Sequence, residues 1–193
     1  MSEETPLPAP EEPVEAPHDA PPARTDDDAP EVTVLVTAHN EADNIQSCLR
    51  AIMAQDFPME RVEILLVDDR STDETVARAL ELNLPSLRVL HIDEPPTDLT
   101  ARQAALDLGL REARGEIVLI TDADGRVSRE WIRELSGHMG FRDGAVAAPV
   151  IYGGNHHTIA RYQSIESLVT FTIYRVLHRH NLKTGVLAGN VAV

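Results

Sequence analysis

Four apolar runs of strand length, at residues 32–37, 62–67, 87–92 and 116–121, alternate with stretches whose apolar residues recur at helical spacing. The runs carry apolar side chains on both faces, as in Val32-Thr33-Val34-Leu35-Val36-Thr37, which suits a strand buried on both sides. Parallel neighbours cannot be joined by a tight turn and need a crossover helix, so this alternation predicts an α/β fold with a mostly parallel sheet and flanking helices. With 42% hydrophobic and 25% charged residues, a collagen, a coiled coil and a wholly disordered chain are excluded. The alternation also predicts where a ligand binds, because such sheets present their crevice at the carboxyl ends of the strands.

The helical stretches can be placed individually. Ile45, Cys48, Leu49, Ile52 and Met53 form one stripe, and Asn40 can serve as its N-cap. Ser71 and Glu74 have capping-box spacing ahead of Val76, Ala79 and Leu80, which share a face. Residues 99–113 predict a helix with Ala105, Leu106, Leu108 and Gly109 inward, and residues 129–138 predict another. After an apolar segment at 145–151 and a loop at 152–157, residues 160–178 read as a long helix. Its face of Ile165, Leu168, Val169, Thr172 and Val176 is expected to cover a sheet edge. The rival reading, a helix lying on a membrane, calls for a basic stripe that is missing before Arg175.

Composition changes sharply near residue 30. Residues 1–30 hold 8 of the 13 prolines and 9 acids against the single Arg24, with almost no large apolar side chains. Such a segment cannot bury enough surface to offset the entropy of ordering, so a disordered tail over 1–30 and one domain over 31–193 are expected. The formal charge of −15 repels phosphate backbones and argues against nucleic acid as a partner. Cys48 is the only cysteine, which leaves no internal disulfide and suits a reducing compartment. No stretch reaches the roughly 18 apolar residues of a membrane span, and the N-terminus is acidic where a signal peptide is basic, so a cytoplasmic location is expected. Lys183 is the only lysine, so the basic side chains near any site are arginines.

Acids collect at two strand ends, Asp68-Asp69 and Asp122-Ala123-Asp124. Asp is common wherever a strand gives way to a helix, and either group alone could be turn chemistry. Two such groups at equivalent ends favour a functional reading. Like charges held close destabilise the fold unless a cation neutralises them, and carboxylates one residue apart can converge on Mg2+ or Mn2+.

Val34-Leu35-Val36-Thr37-Ala38-His39-Asn40-Glu41, Val67-Asp68-Asp69-Arg70-Ser71-Thr72-Asp73 and Thr121-Asp122-Ala123-Asp124-Gly125 together resemble the family 2 glycosyltransferases. The likeness runs from about Val32 to the C-terminus with the motifs in order. The stretch from Arg102 to Leu110 is similar to the family segment before the acid-any-acid (DxD) motif, with Arg102 where many members have Lys and Asp107 where they have Asn. The resemblance implies a GT-A type nucleotide-diphospho-sugar transferase fold and inverting, metal-dependent transfer of a sugar from a nucleotide-diphospho-sugar. It implies that Thr37, Asn40 and Glu41 border the nucleotide and that Asp69 receives the base or ribose. It further implies that Asp124 holds the Mg2+ or Mn2+ ion, that Asp122 meets the ribose or the metal shell, and that Arg102 adds a cation near the pyrophosphate. Tyr162 to Glu166 and Gly185 to Ala192 are similar to the acceptor-side helix and Gly-Asn loop of membrane-associated members.

The resemblance places the general base about twenty residues beyond that Gly-Asn loop, and the sequence stops at Val193. Past Asp143 the one carboxylate side chain is Glu166, a weak candidate on a helix. The expectation is a donor-binding half whose continuation carries the base, with membrane helices and a lipid or polysaccharide acceptor site. Two alternatives stand beside it. One is a nucleotide-sugar-binding fragment without catalysis, which a downstream carboxylate would discriminate. The other is a haloacid-dehalogenase-like phosphatase with Asp122 as nucleophile and Asp124 as acid/base, but Arg126 stands where that fold wants Thr or Val, and no acidic pair follows. His39, His156-His157 and the pair His178 and His180 lack a third spaced partner and are read as ordinary polar residues.

Overall fold

The computed structural model describes residues 30–94, 98–139, 145–148, 157–179 and 191–193. The expected disordered tail, most of the loop at 152–157, His156, His180 and the Gly-Asn segment up to Asn190 lie outside them. In chain order the elements are β1 (Val32–Ala38), α1 (Ile45–Met53), β2 (Val62–Asp68), α2 (Thr75–Leu80), β3 (Leu87–His91) and α3 (Ala101–Glu112). They continue with β4 (Ile117–Asp122), α4 (Trp131–His138), β5 (Val146–Ala147), α5 (His157–Arg179) and β6 (Val191–Ala192).

One sheet forms in the order β3-β2-β1-β4-β6-β5. The first four strands are parallel, and β6 runs antiparallel to both β4 and β5. The chain moves outward from β1 to β2 and β3, then returns to place β4 on the other side of β1. The order therefore reverses between β1 and β4, where an open parallel sheet leaves its crevice. Register brings Thr37 of β1 beside Asp122 of β4, and Ala38 beside Asp68 of β2.

Alternation along the strands splits the core in two. Val34, Val36, Ile64, Leu66 and Leu119 meet Ile45, Leu49 and Ile52 of α1 and Ile132 of α4 on one face. Leu35, Leu65, Val67 and Val118 meet Ala104 and Ala105 of α3 on the other. Each fully buried aliphatic side chain contributes about 1.5–3 kcal/mol, which fixes the register of the strands and hence the side on which their last residues emerge. Thr37, which shares its face with Leu35, and Asp122, which shares its face with Val118, therefore rise on the α3 side.

Three local expectations are corrected. Asn40 does not cap α1: the cap position is Asn44, and Asn40 has a left-handed φ of 56°. Ser71 and Glu74 form no capping box, since α2 starts at Thr75 and the Ser71 hydroxyl accepts from Asn40 N–H instead. In α2 the inward residues are Thr75 and Ala79, while Leu80 is exposed. The capping box that does form is Thr100 with Gln103, at the start of α3.

The long helix is also corrected. Its apolar residues Ile165, Leu168, Val169, Ile173 and Val176 are about half exposed or more, so α5 is not a core helix among the described residues. The physical reason is space: α1 and α4 on one face and α3 on the other already cover the central strands. No helix among the described residues is long and apolar enough to cross a membrane.

Candidate functional site

The carboxyl ends of β1, β2 and β4 and the first turn of α3 enclose a cleft of about 400 Å³. Its lining includes Thr37, His39, Glu41, Asp69, Arg102, Asp122 and Asp124. Six of the seven residues singled out from sequence thus meet in one place. The seventh, Asn40, is not in the lining. Its backbone N–H donates to Ser71 Oγ at 2.9 Å and its Oδ1 accepts from Thr72 N–H at 2.8 Å, so it joins the loop after β1 to the loop after β2.

The two acidic groups behave differently because of spacing. Neighbouring residues on a strand point to opposite faces, and only one of Asp68 and Asp69 can face the cleft. That one is Asp69, which is buried and held by Arg70 Nε at 2.8 Å from its Oδ1. Asp68 turns away: its Oδ2 accepts from Ser71 N–H at 3.3 Å and lies 3.4 Å from His91 Nδ1. Its Oδ1 is buried and has no partner among the described residues. Asp122 and Asp124, one residue apart, both line the cleft.

Of the four acids that line the cleft among the described residues, Asp122 makes the most hydrogen bonds. Arg102 grips it with both arms, Nη1 to Oδ1 at 2.7 Å and Nη2 to Oδ2 at 3.3 Å, and Thr37 Oγ1 donates to Oδ1 at 3.3 Å. The Asp124 carboxylate is exposed and makes no hydrogen bond or ion pair among the described residues; its backbone carbonyl accepts from Arg126. Gly125 follows because a Cβ there would stand 2.7 Å from Thr121 Oγ1 and 2.9 Å from the Asp122 carbonyl. Only a bare backbone lets this turn close beneath the acids.

Two residues that sequence reasoning passed over also shape the site. His39, which has no spaced metal-ligand partner in the sequence, lines the cleft, and its Nδ1 lies 2.6 Å from the Asp69 carbonyl oxygen. A carbonyl only accepts, so Nδ1 carries the proton, and Nε2 is left to accept from Asn40 Nδ2 at 3.3 Å. Cys48 lies below the motif, its Sγ 3.7 Å from the Asp122 carbonyl. Burial pushes its thiol up to about 12, which makes it an inert floor and not a nucleophile. The alanines Ala101 and Ala105 of α3 keep one wall low. Small residues at those positions were the available signal.

Charge defines what the cleft can hold. Four carboxylates, Glu41, Asp69, Asp122 and Asp124, face one guanidinium, Arg102, a formal balance of −3. No three His, Cys, Asp or Glu side chains gather to cage a metal among the described residues. Two protein carboxylates are nonetheless the usual share for Mg2+ or Mn2+ when substrate phosphates and water fill the other positions. Asp122 and Asp124 fit that half-site. Glu166, the weak candidate base, is exposed on α5 and does not line the cleft.

Comparison with known proteins agrees with this architecture. The model of glycosyl transferase family 2 matches residues 33–190. Glycosyltransferase AglE of Haloferax volcanii is 33% identical over 105 residues, covering 53% of this chain and 33% of AglE. Beta-monoglucosyldiacylglycerol synthase of Synechocystis is 32% identical over 125 residues, covering 62% of this chain and 26% of the synthase. The structure of the mannosyltransferase PcManGT from Pyrobaculum calidifontis, in complex with GDP-Man and Mn2+, superposes with a TM-score of 0.54 at 34% identity, covering 62% of this chain and 35% of that one. Glucosyl-3-phosphoglycerate synthase from Mycobacterium tuberculosis, at 22% identity and a TM-score of 0.57, shares the fold over 85% of this chain. The chain spans about a third or less of the length of these two sequence relatives. With the family model matched over most of the chain and the fold shared with these structural neighbours, the protein belongs to glycosyl transferase family 2 and has its GT-A fold.

Proposed function

We propose that the cleft binds the nucleoside diphosphate of a sugar donor and that the protein transfers the sugar with inversion. The observation that carries this is the meeting of Thr37, Asp69, Arg102, Asp122 and Asp124 at the reversal point of the sheet. A net negative cleft repels a diphosphate unless a cation intervenes. That need, and the paired acids Asp122 and Asp124, favour a divalent ion over a purely arginine-based site. The structure of PcManGT is in complex with GDP-Man and Mn2+, which supports the same reading.

In this reading Asp69, buried between β2 and Arg70, accepts hydrogen bonds from the base or ribose, and its fixed position selects that end of the donor. Thr37 and Glu41 border the nucleotide. Asp124, exposed and without a side-chain partner among the described residues, and Asp122 would hold the divalent ion. When bound, such an ion neutralises charge on the departing diphosphate. Arg102 offers a second positive charge to the same phosphates. Inversion has the acceptor hydroxyl attack the anomeric carbon opposite the leaving group while a carboxylate outside the described lining takes its proton. The acceptor is proposed to be a lipid or a polysaccharide; one sequence relative is named beta-monoglucosyldiacylglycerol synthase, which supports the lipid.

Calorimetric titration of the chain with UDP-, GDP- and TDP-sugars, with Mn2+ and then with EDTA, tests the reading. Binding of at least one nucleotide class with Mn2+ and its loss in EDTA are expected. Binding of none of them under either condition would remove the donor role.

A further inference from the structure

We propose that Arg102 is a latch on Asp122, so that the chain resists a divalent ion until a nucleoside diphosphate arrives to take the guanidinium. This rests on the donor-site reading above and adds an order of events to it.

Three observations carry the inference. Both oxygens of Asp122 are taken, one by Arg102 Nη1 at 2.7 Å and by Thr37 Oγ1, the other by Arg102 Nη2 at 3.3 Å. A forked guanidinium–carboxylate pair is among the stronger charge-assisted contacts, and while it holds, Asp122 has little lone-pair capacity left for a cation. Arg102 also occupies the first turn of α3, directly after the Thr100 cap. A cation there opposes the helix dipole, so α3 gains nothing from it, and the pairing with Asp122 is what makes the position tolerable. Finally, Arg102 is the single guanidinium among the described residues that line a cleft with four carboxylates. Without it Asp122 and Asp124 would repel each other across one residue.

Arg102 therefore stands in for the divalent ion in the free chain. Its side chain is about half exposed, at 53%, so it can swing without breaking the core. The capping box of Thr100 and Gln103 meanwhile holds its backbone still. A diphosphate entering the cleft presents oxygens that match the guanidinium fork as well as a carboxylate does. As Arg102 turns to them, Asp122 is released to join Asp124. The same residue thus lowers affinity for the free ion and raises affinity for the nucleotide. By linkage each ligand then strengthens the other.

The test is Mn2+ binding, followed by the loss of the free-ion electron paramagnetic resonance signal, for the wild type, Arg102→Gln and Arg102→Lys, each checked for an unchanged thermal melt. Without nucleotide, Arg102→Gln should bind Mn2+ about tenfold or more tighter than the wild type. Arg102→Lys should fall between, because it keeps the charge and loses the fork. Adding GDP or UDP should tighten Mn2+ binding strongly in the wild type and only weakly in Arg102→Gln. If Arg102→Lys matches the wild type while Arg102→Gln tightens, the effect is net charge alone and the latch is wrong. If neither variant differs from the wild type, and GDP or UDP still promotes Mn2+ binding, the latch falls and the donor-site reading survives. If no chain binds Mn2+ with GDP, UDP or TDP, both fall.

Discussion

Cys48 shows how far a single residue of this site is set by its surroundings. Its thiol is pushed up to about 12 chiefly by burial, with Asp124, Asp122 and Glu41 acting the same way and Arg126 opposing them. Below the usual value of 9.0 the thiol is neutral whether the chain is folded or unfolded, and it adds nothing to the pH dependence. Between 9.0 and about 12 the unfolded chain loses its proton first, so stability falls as pH rises, by up to about 1.4 kcal/mol per pH unit. Chemical denaturation in EDTA across that range should give Cys48→Ala a shallower alkaline slope than the wild type. Equal slopes would mean that the folded thiol ionises freely. At this scale the sequence was partly legible. Asp69, Asp122 and Asp124 stood out because acids at strand ends are costly, but nothing local could show which of Asp68 and Asp69 faces the cleft or that His39 turns to the Asp69 carbonyl.

Among the elements, glycine positions separate close packing from open surface. A Cβ at Gly115 would lie 2.4 Å from the Thr33 backbone nitrogen, at the amino ends of the strands remote from the cleft, so Gly115→Ala must shift backbone and should destabilise by about 1–3 kcal/mol. Gly137, inside α4, has nothing within 4 Å of a Cβ, and Gly137→Ala should stabilise by about 0.5–1 kcal/mol. Urea denaturation of both variants checks the pair, and like signs would contradict the packing described. For α5, Ile165→Ser and Val169→Ser should change stability by no more than about 0.5 kcal/mol, as exposed substitutions do. Losses of several kcal/mol would restore the core reading. Strands and helices were read well because burial imposes periods of two and 3.6. Caps at Asn40 and Ser71 were misread because these residues bond to each other's loops, 31 positions apart, and no local pattern records that.

For the molecule as a whole, the reversal of strand order between β1 and β4 places the last residues of three strands and the first turn of α3 around one cleft. Alternating strands and helices made the parallel sheet readable, and the three motifs made the family readable. The position of α5 was not readable, because an apolar stripe states that a face wants cover without stating what covers it. The central claim is that a cation held by Asp124 joins the nucleotide to the cleft. Its most direct test is titration of the chain and of Asp124→Ala with the preferred nucleoside diphosphate in Mn2+. The account predicts a loss of about 2–4 kcal/mol in binding on substitution, the scale of removing a charged ligand from a partly buried site, and a comparable loss when EDTA is added to the wild type. Binding that is unchanged by both Asp124→Ala and EDTA would contradict it.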